Sequence, residues 1–199
     1  YTQLLLGTSV NEIRYGTVGT SKKFWSVWVE EGDAEIMGAA VHRAANKVPP
    51  IEVRNRLFTP LTEKEAAALA DARRYFEELW AGGDRLPTSQ DRTLWAMLRP
   101  ERLLDLAYGF TVFDAGVRKV ARYQQFFAVK ETVERVSTLR EGRRRGGVIW
   151  HTTGSGKSLT MVMLAKALAL HPAIPNPRVI IVTDRIDLRD ERPEETPPG

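Results

Sequence analysis

Cysteine is absent from this chain of 199 residues. That excludes a disulfide scaffold and a thiolate-ligated zinc, and fits a protein of the cytoplasm. Histidine is scarce as well: His42, His151 and His171 lie far apart and show no metal-ligand spacing. Long apolar runs are missing. Even residues 161–170 are interrupted by Lys166 and fall short of the roughly 20 residues that a membrane span requires. The chain also opens at Tyr1, without an initiator methionine or a basic-then-apolar leader, so the expectation is a piece of something longer rather than a secreted protein.

What is present is the composition of an ordinary globular protein, 43% hydrophobic and 27% charged, enough to build the core of one domain or parts of two. The net charge is only +4, but it is unevenly spread: from Arg118 to Arg145 nine basic residues stand against Glu131, Glu134 and Glu141. A local excess of this kind attracts phosphate backbones or forms a solvated helix face and loop.

Residues 1–58 read as β-rich, with short β-branched or aromatic runs at 3–6, 13–17 and 24–30 divided by Gly7, Gly19 and Gly32. Phe24, Trp25, Trp28 and Trp80 could stack on bases but are expected in the core, and Glu30, Glu31, Asp33 and Glu35 read as an acidic turn rather than a metal cluster. Thr62 and Glu65 have the spacing of a capping box and predict a helix to Trp80, stopped by Gly82 and Gly83. Further helices are expected over 91–98, ending before Pro100, over 101–108, and over 117–139, where apolar residues recur at Val120, Tyr123, Phe127, Val129, Val133 and Val136. Residues 141–147 read as a mobile loop, and those from about 192 onward as a disordered tail rich in proline and glutamate.

Residues 147–150 read as a buried strand, 157–170 as a helix and 178–183 as a second strand, which makes one βαβ unit. The turn between the first strand and the helix is His151-Thr-Thr-Gly-Ser-Gly-Lys-Ser158, the context of a phosphate-binding loop. Gly154 and Gly156 let successive amides turn inward as an anion nest, and the helix aims its positive end at the phosphates. Lys157 reaches the β- and γ-phosphates of ATP, and Ser158 is placed to ligate Mg²⁺. The common form of this loop has glycine at the position of His151.

Three stretches, Arg122-Tyr-Gln-Gln-Phe-Phe-Ala128, the loop from Trp150 to Val162, and Val182-Thr-Asp-Arg-Ile-Asp-Leu188, resemble the motor part of HsdR, the restriction subunit of type I restriction enzymes. Residues 14–28, 103–106 and 113–122 resemble it too, so that the likeness covers nearly the whole chain except the tail after Asp190. The resemblance implies an α/β protein: a RecA-like P-loop motor lobe with an incomplete parallel sheet over residues 101–199, preceded over 1–100 by an α+β segment from the distal part of a nuclease domain and a helical linker. It implies an ATP-dependent, type I site-specific deoxyribonuclease that translocates double-stranded DNA and works with methyltransferase and specificity subunits of a restriction-modification system.

By the same resemblance, Gln125 reads the adenine edge, its amide offering a donor and an acceptor. The loop residues Thr152, Thr153, Gly154, Ser155, Gly156, Lys157, Ser158 and Leu159 hold the nucleotide, and Thr183 and Arg185 contact the DNA backbone. The family usually carries glutamine where this chain has Thr153 and near Glu191. Its nuclease carboxylates fall before Tyr1, and its second metal-binding motif and second motor lobe fall after Gly199. Two alternatives stand beside this reading: a superfamily 2 DNA helicase or remodeller, and a truncated, non-catalytic nucleotide-binding fragment without measurable ATP turnover of its own.

Overall fold

The computed structural model describes residues 4–152 and 154–182. The glycine-divided runs at the start become a small antiparallel sheet. β1 (Leu5–Thr8) pairs with β2 (Ile13–Gly16), Leu5 opposite Gly16 and Thr8 opposite Ile13, and β3 (Ser26–Val27) adds to the other edge of β2.

The β-rich reading holds only to about residue 30; beyond it the chain is helical. Asp33 Oδ1 accepts from the amides of Glu35 and Ile36, both at 2.9 Å, and so starts α1 (Ala34–Ala45). α2 (Ile51–Leu57) follows Pro50, and α3 (Glu63–Ala81) starts after Thr62 as the capping pattern predicts. The box itself does not form: Glu65 accepts from the amide of Leu61, one residue before the cap, and the Thr62 hydroxyl makes no cap bond. α4 (Ser89–Leu98) begins earlier than its periodicity suggests, because Thr88 and Asp91 form a complete capping box. α5 (Pro100–Leu104) passes into a π-helical turn over Asp105–Gly109.

The helix expected over 117–139 is divided. β4 (Thr111–Asp114) and β5 (Val117–Val120) form a hairpin with Thr111 opposite Val120, and α6 (Tyr123–Ser137) begins only afterwards. Ala115 and Gly116, both at positive φ (47° and 77°), make the two-residue turn that folds β5 back onto β4. The turn at Glu141 and Gly142 (φ 52° and 73°) does the same for β6 (Leu139–Arg140) and β7 (Arg143–Arg144), where a loop was expected. α7 (Lys157–Ala169) then packs along α6.

The expected parallel sheet does not appear among the described residues, whose three sheets are all antiparallel. Residues 147–150 and 178–182 carry no strand, and Val148 and Trp150 are each 90% exposed. The physical reason is that a strand exists only where a neighbour takes up its N–H and C=O groups, and no described strand lies beside either segment.

One core joins the N-terminal sheet to α6 and α7: Tyr15 and Trp28 pack with Met97, Leu106, Phe110, Phe126, Val129 and Met163. Trp28 meets Phe126 edge-on with centroids 5.4 Å apart. Beside them Glu30 takes a bidentate pair from Arg102 (2.7 and 2.8 Å) and a third bond from Arg99 (2.8 Å), with the Arg102 guanidinium 4.5 Å from the Phe126 centroid. Burial pushes the Glu30 carboxyl up, but the bonds from Arg102 and Trp28 outweigh it and hold it below its ordinary value. No helix of the described residues is long and apolar enough to cross a membrane.

Candidate functional site

Two glycines shape the loop that leads into α7. Gly154 (φ 77°) and Gly156 (φ 86°) both lie in the left-handed region, and Gly156 is the N-cap of α7. Ser155 closes the turn below, its amide and hydroxyl both donating to the Thr152 carbonyl at 3.3 and 2.7 Å. Lys157 and Ser158 occupy the first turn of α7 with exposed side chains, and Leu159 packs toward the core. This is the geometry in which a helix N-terminus and adjacent amides bind an anion. Thr153, Thr183 and Arg185 lie outside the described residues.

Where the common loop form has glycine, the His151 ring stands 3.3 Å through Nδ1 from the Ser155 hydroxyl. Its Nε2 is buried without a hydrogen-bond partner among the described residues.

Gln125 is fixed on this loop. It sits in the first turn of α6 and is only 2% exposed. Its Oε1 accepts from the Arg122 amide at 2.9 Å, and its Nε2 donates to the Gly156 carbonyl at 2.9 Å. A Cβ at Gly156 would stand 2.5 Å from that Nε2, so any other residue there displaces the Gln125 amide besides meeting the strain of positive φ. The Gln125 amide retains one N–H and one acceptor lone pair, and the residue lines the cavity in front of the loop.

That cavity has a volume of about 470 Å³, within the roughly 300–1,000 Å³ usual for small-molecule sites. Gly154, Ser155 and Gly156 form one side of it and the β4–β5 hairpin, with Arg118 and Lys119, another. The remaining wall comes from the N-terminal sheet: Gly16, Thr20 and Phe24. Local pattern gives no sign of this third wall, because it is built by docking across the fold. The Tyr15 hydroxyl donates to the Ala121 carbonyl at 2.8 Å and the Thr17 hydroxyl to the Arg118 carbonyl at 2.6 Å. Burial pushes the Tyr15 phenol far above its ordinary range, so it remains a donor.

The aromatic residues divide differently from the expectation that all are core. Trp28 is buried, Trp25 and Trp80 are half-buried, and Phe24 is 55% exposed at the cavity. The acidic turn is structural: Asp33 caps α1, Glu30 pairs with Arg99 and Arg102, and the described residues include no group of three His, Asp or Glu that could hold a metal ion. Of the basic run, Arg144 donates to the carbonyls of Val136 and Ala173, and Arg135 to that of Gly146.

Residues 124–196 match the family described as SWI2/SNF2 ATPase. Among curated proteins the chain is similar to the type I restriction enzyme HindI endonuclease subunit of Haemophilus influenzae, 40% identical over 99 residues that make up 46% of this chain and 9% of the relative. It is similar also to the putative type I restriction enzyme MjaIXP endonuclease subunit of Methanocaldococcus jannaschii, 32% identical over 109 residues, 52% of this chain and 10% of the relative. The chain thus spans about a tenth of the length of the curated relatives it matches. No solved structure matches. Over about half its length, then, the chain resembles endonuclease subunits of type I restriction enzymes, and the segment that holds Gln125 and the glycine loop resembles a SWI2/SNF2 ATPase.

Proposed function

We propose that the chain carries the ATP-binding part of a RecA-like motor lobe within the restriction subunit of a type I restriction enzyme. In that reading residues 1–100 are the distal part of the nuclease domain with a helical linker, and 101–199 begin the motor. The observation that carries it is the coupling of Gln125 to the left-handed Gly156 at the head of α7. A glutamine amide locked onto an anion-binding loop is suited to hold a nucleotide by its base and its phosphates together.

The amides of Gly154 and Gly156 and of the first turn of α7 bind the phosphates while Ser155 holds the turn closed, the Lys157 ammonium neutralises the β- and γ-phosphates, and Leu159 backs the loop. Thr152 and Ser155 shape the turn, Thr153 contacts the nucleotide, and Gln125 meets the adenine edge with its remaining donor and acceptor. The donor set fits Mg²⁺ bound mainly through phosphate oxygens and water, with the Ser158 hydroxyl as the protein ligand, which would neutralise developing charge during phosphoryl transfer. Thr183 and Arg185 contact the backbone of double-stranded DNA. The parent subunit acts in the cytoplasm with methyltransferase and specificity subunits, hydrolysing ATP to translocate DNA and cleaving it.

The SWI2/SNF2 match favours a second reading, a helicase or remodeller without a nuclease. Co-purification with methyltransferase and specificity subunits separates the two. The nucleotide site itself is tested by titrating a fluorescent ATP analogue with Mg²⁺ into the wild-type chain and Lys157→Ala. Saturable binding that the substitution weakens at least tenfold is expected. Equal binding by both proteins sinks the assignment.

A further inference from the structure

We propose that the N-terminal sheet supplies the platform for the base of the nucleotide, with Phe24 as the stacking residue. The inference rests on the nucleotide-binding reading above and adds a wall to that site that the motor segment does not contain. One cavity is lined by the glycine loop, Gln125 and Phe24. A purine tethered to a triphosphate on the loop has room in this cavity, and Phe24 is the aromatic ring on its wall besides the buried Tyr15.

The ring is presented rather than buried. It is 55% exposed, whereas Tyr15, Trp28, Phe110 and Phe126 fill the core. The backbone that carries it is tied down by three hydrogen bonds. A 3-10 turn, Lys22–Phe24, is closed by the Phe24 amide donating to the Ser21 carbonyl at 2.9 Å. The Trp25 indole donates to the Thr20 carbonyl at 3.0 Å, and the Thr17 hydroxyl ties the preceding turn to Arg118. The Lys23 ammonium lies 4.9 Å from the ring centroid, and a ring has a second face. An exposed aromatic on a rigid mount is what base stacking needs, since little side-chain entropy is lost on binding.

The test is calorimetric titration of the wild-type chain, Phe24→Ala, Phe24→Trp and Lys157→Ala with two probes, ATP and inorganic tripolyphosphate, each with Mg²⁺. Stacking on one base predicts that Phe24→Ala weakens ATP about tenfold, leaves tripolyphosphate within twofold of wild type, and is rescued by Phe24→Trp. Lys157→Ala weakens both probes. Tripolyphosphate falling in step with ATP in Phe24→Ala would mean a distorted loop and overturns the assignment. Unchanged ATP affinity in Phe24→Ala, with Lys157→Ala impaired, overturns the base platform and leaves the phosphate site standing. A wild-type chain that binds neither probe overturns both. Because Phe24 is largely solvated, all variants are expected to share the wild-type melting curve, and Phe24→Trp keeps the test decisive should the alanine variant melt lower.

Discussion

Gly156 is the residue on which the site turns, because three donors converge on its carbonyl: the Gln125 amide, and the amide and hydroxyl of Thr160. A methyl group there meets two penalties at once. It would stand 2.5 Å from Gln125 Nε2, and an alanine held at φ 86° costs about 1–2 kcal/mol in the left-handed region. Gly156→Ala is therefore expected to lower the melting temperature by roughly 2–8 °C, at 2–4 °C per kcal/mol for a chain of this size, and to weaken ATP binding by displacing Gln125. Gly83→Ala, at nearly the same φ (85°) but with open space around its Cβ, is the control, and the two variants melting alike would remove the role given to the Gln125 contact.

At the scale of the element, the start of α4 shows how an ion pair becomes a pH dependence. Asp91 accepts two bonds from Arg85 (2.6 and 2.7 Å) and the cap bonds of Thr88. The Arg85 pairing, with the Thr88 bonds beside it, holds the carboxyl well below the usual carboxylate range. The folded-state pKa is depressed, so the stabilisation is fully present above the unfolded value of about 3.9 and is lost as pH falls through the folded value. The melting temperature should fall below about pH 4, and Asp91→Asn should fall less. The gap between wild type and variant is widest near pH 7 and closes toward pH 2. A gap that stays constant across that range would show that Asp91 acts only through its shape.

For the whole molecule, the decisive contacts are those between the N-terminal sheet and the β5–α6 junction. Tyr15 and Thr17 reach Ala121 and Arg118, just ahead of Gln125, and the shared core runs from Tyr15 to Met163. Tyr15→Phe leaves the ring in place but strands the Ala121 carbonyl, at about 1–3 kcal/mol for a buried group losing its partner. Far-ultraviolet dichroism and tryptophan fluorescence should report one coincident melting transition, displaced to lower temperature by Tyr15→Phe. Two separated transitions in the wild type would contradict a single cooperative core.

The sequence by itself determined what local chemistry controls: the turn at Gly154 and Gly156, the start of α3 after Thr62, and the long amphipathic run of α6. Each depends on capping groups, φ preferences or apolar spacing within a few residues. Residues 117–120 read as helix because Val117 and Val120 stand three apart, a helical spacing that continues into α6; the left-handed Ala115–Gly116 turn made them a strand by supplying β4 as a partner. Asp33 read as part of an acidic turn, and only the helix behind it made it a cap. The pairing of Gln125 with Gly156, 31 positions apart, and the approach of Phe24 to the same cavity were decided by tertiary structure alone. Hydrogen bonds and packing between distant segments leave no periodic trace in a chain, because their partners are brought together only when the shared core excludes water.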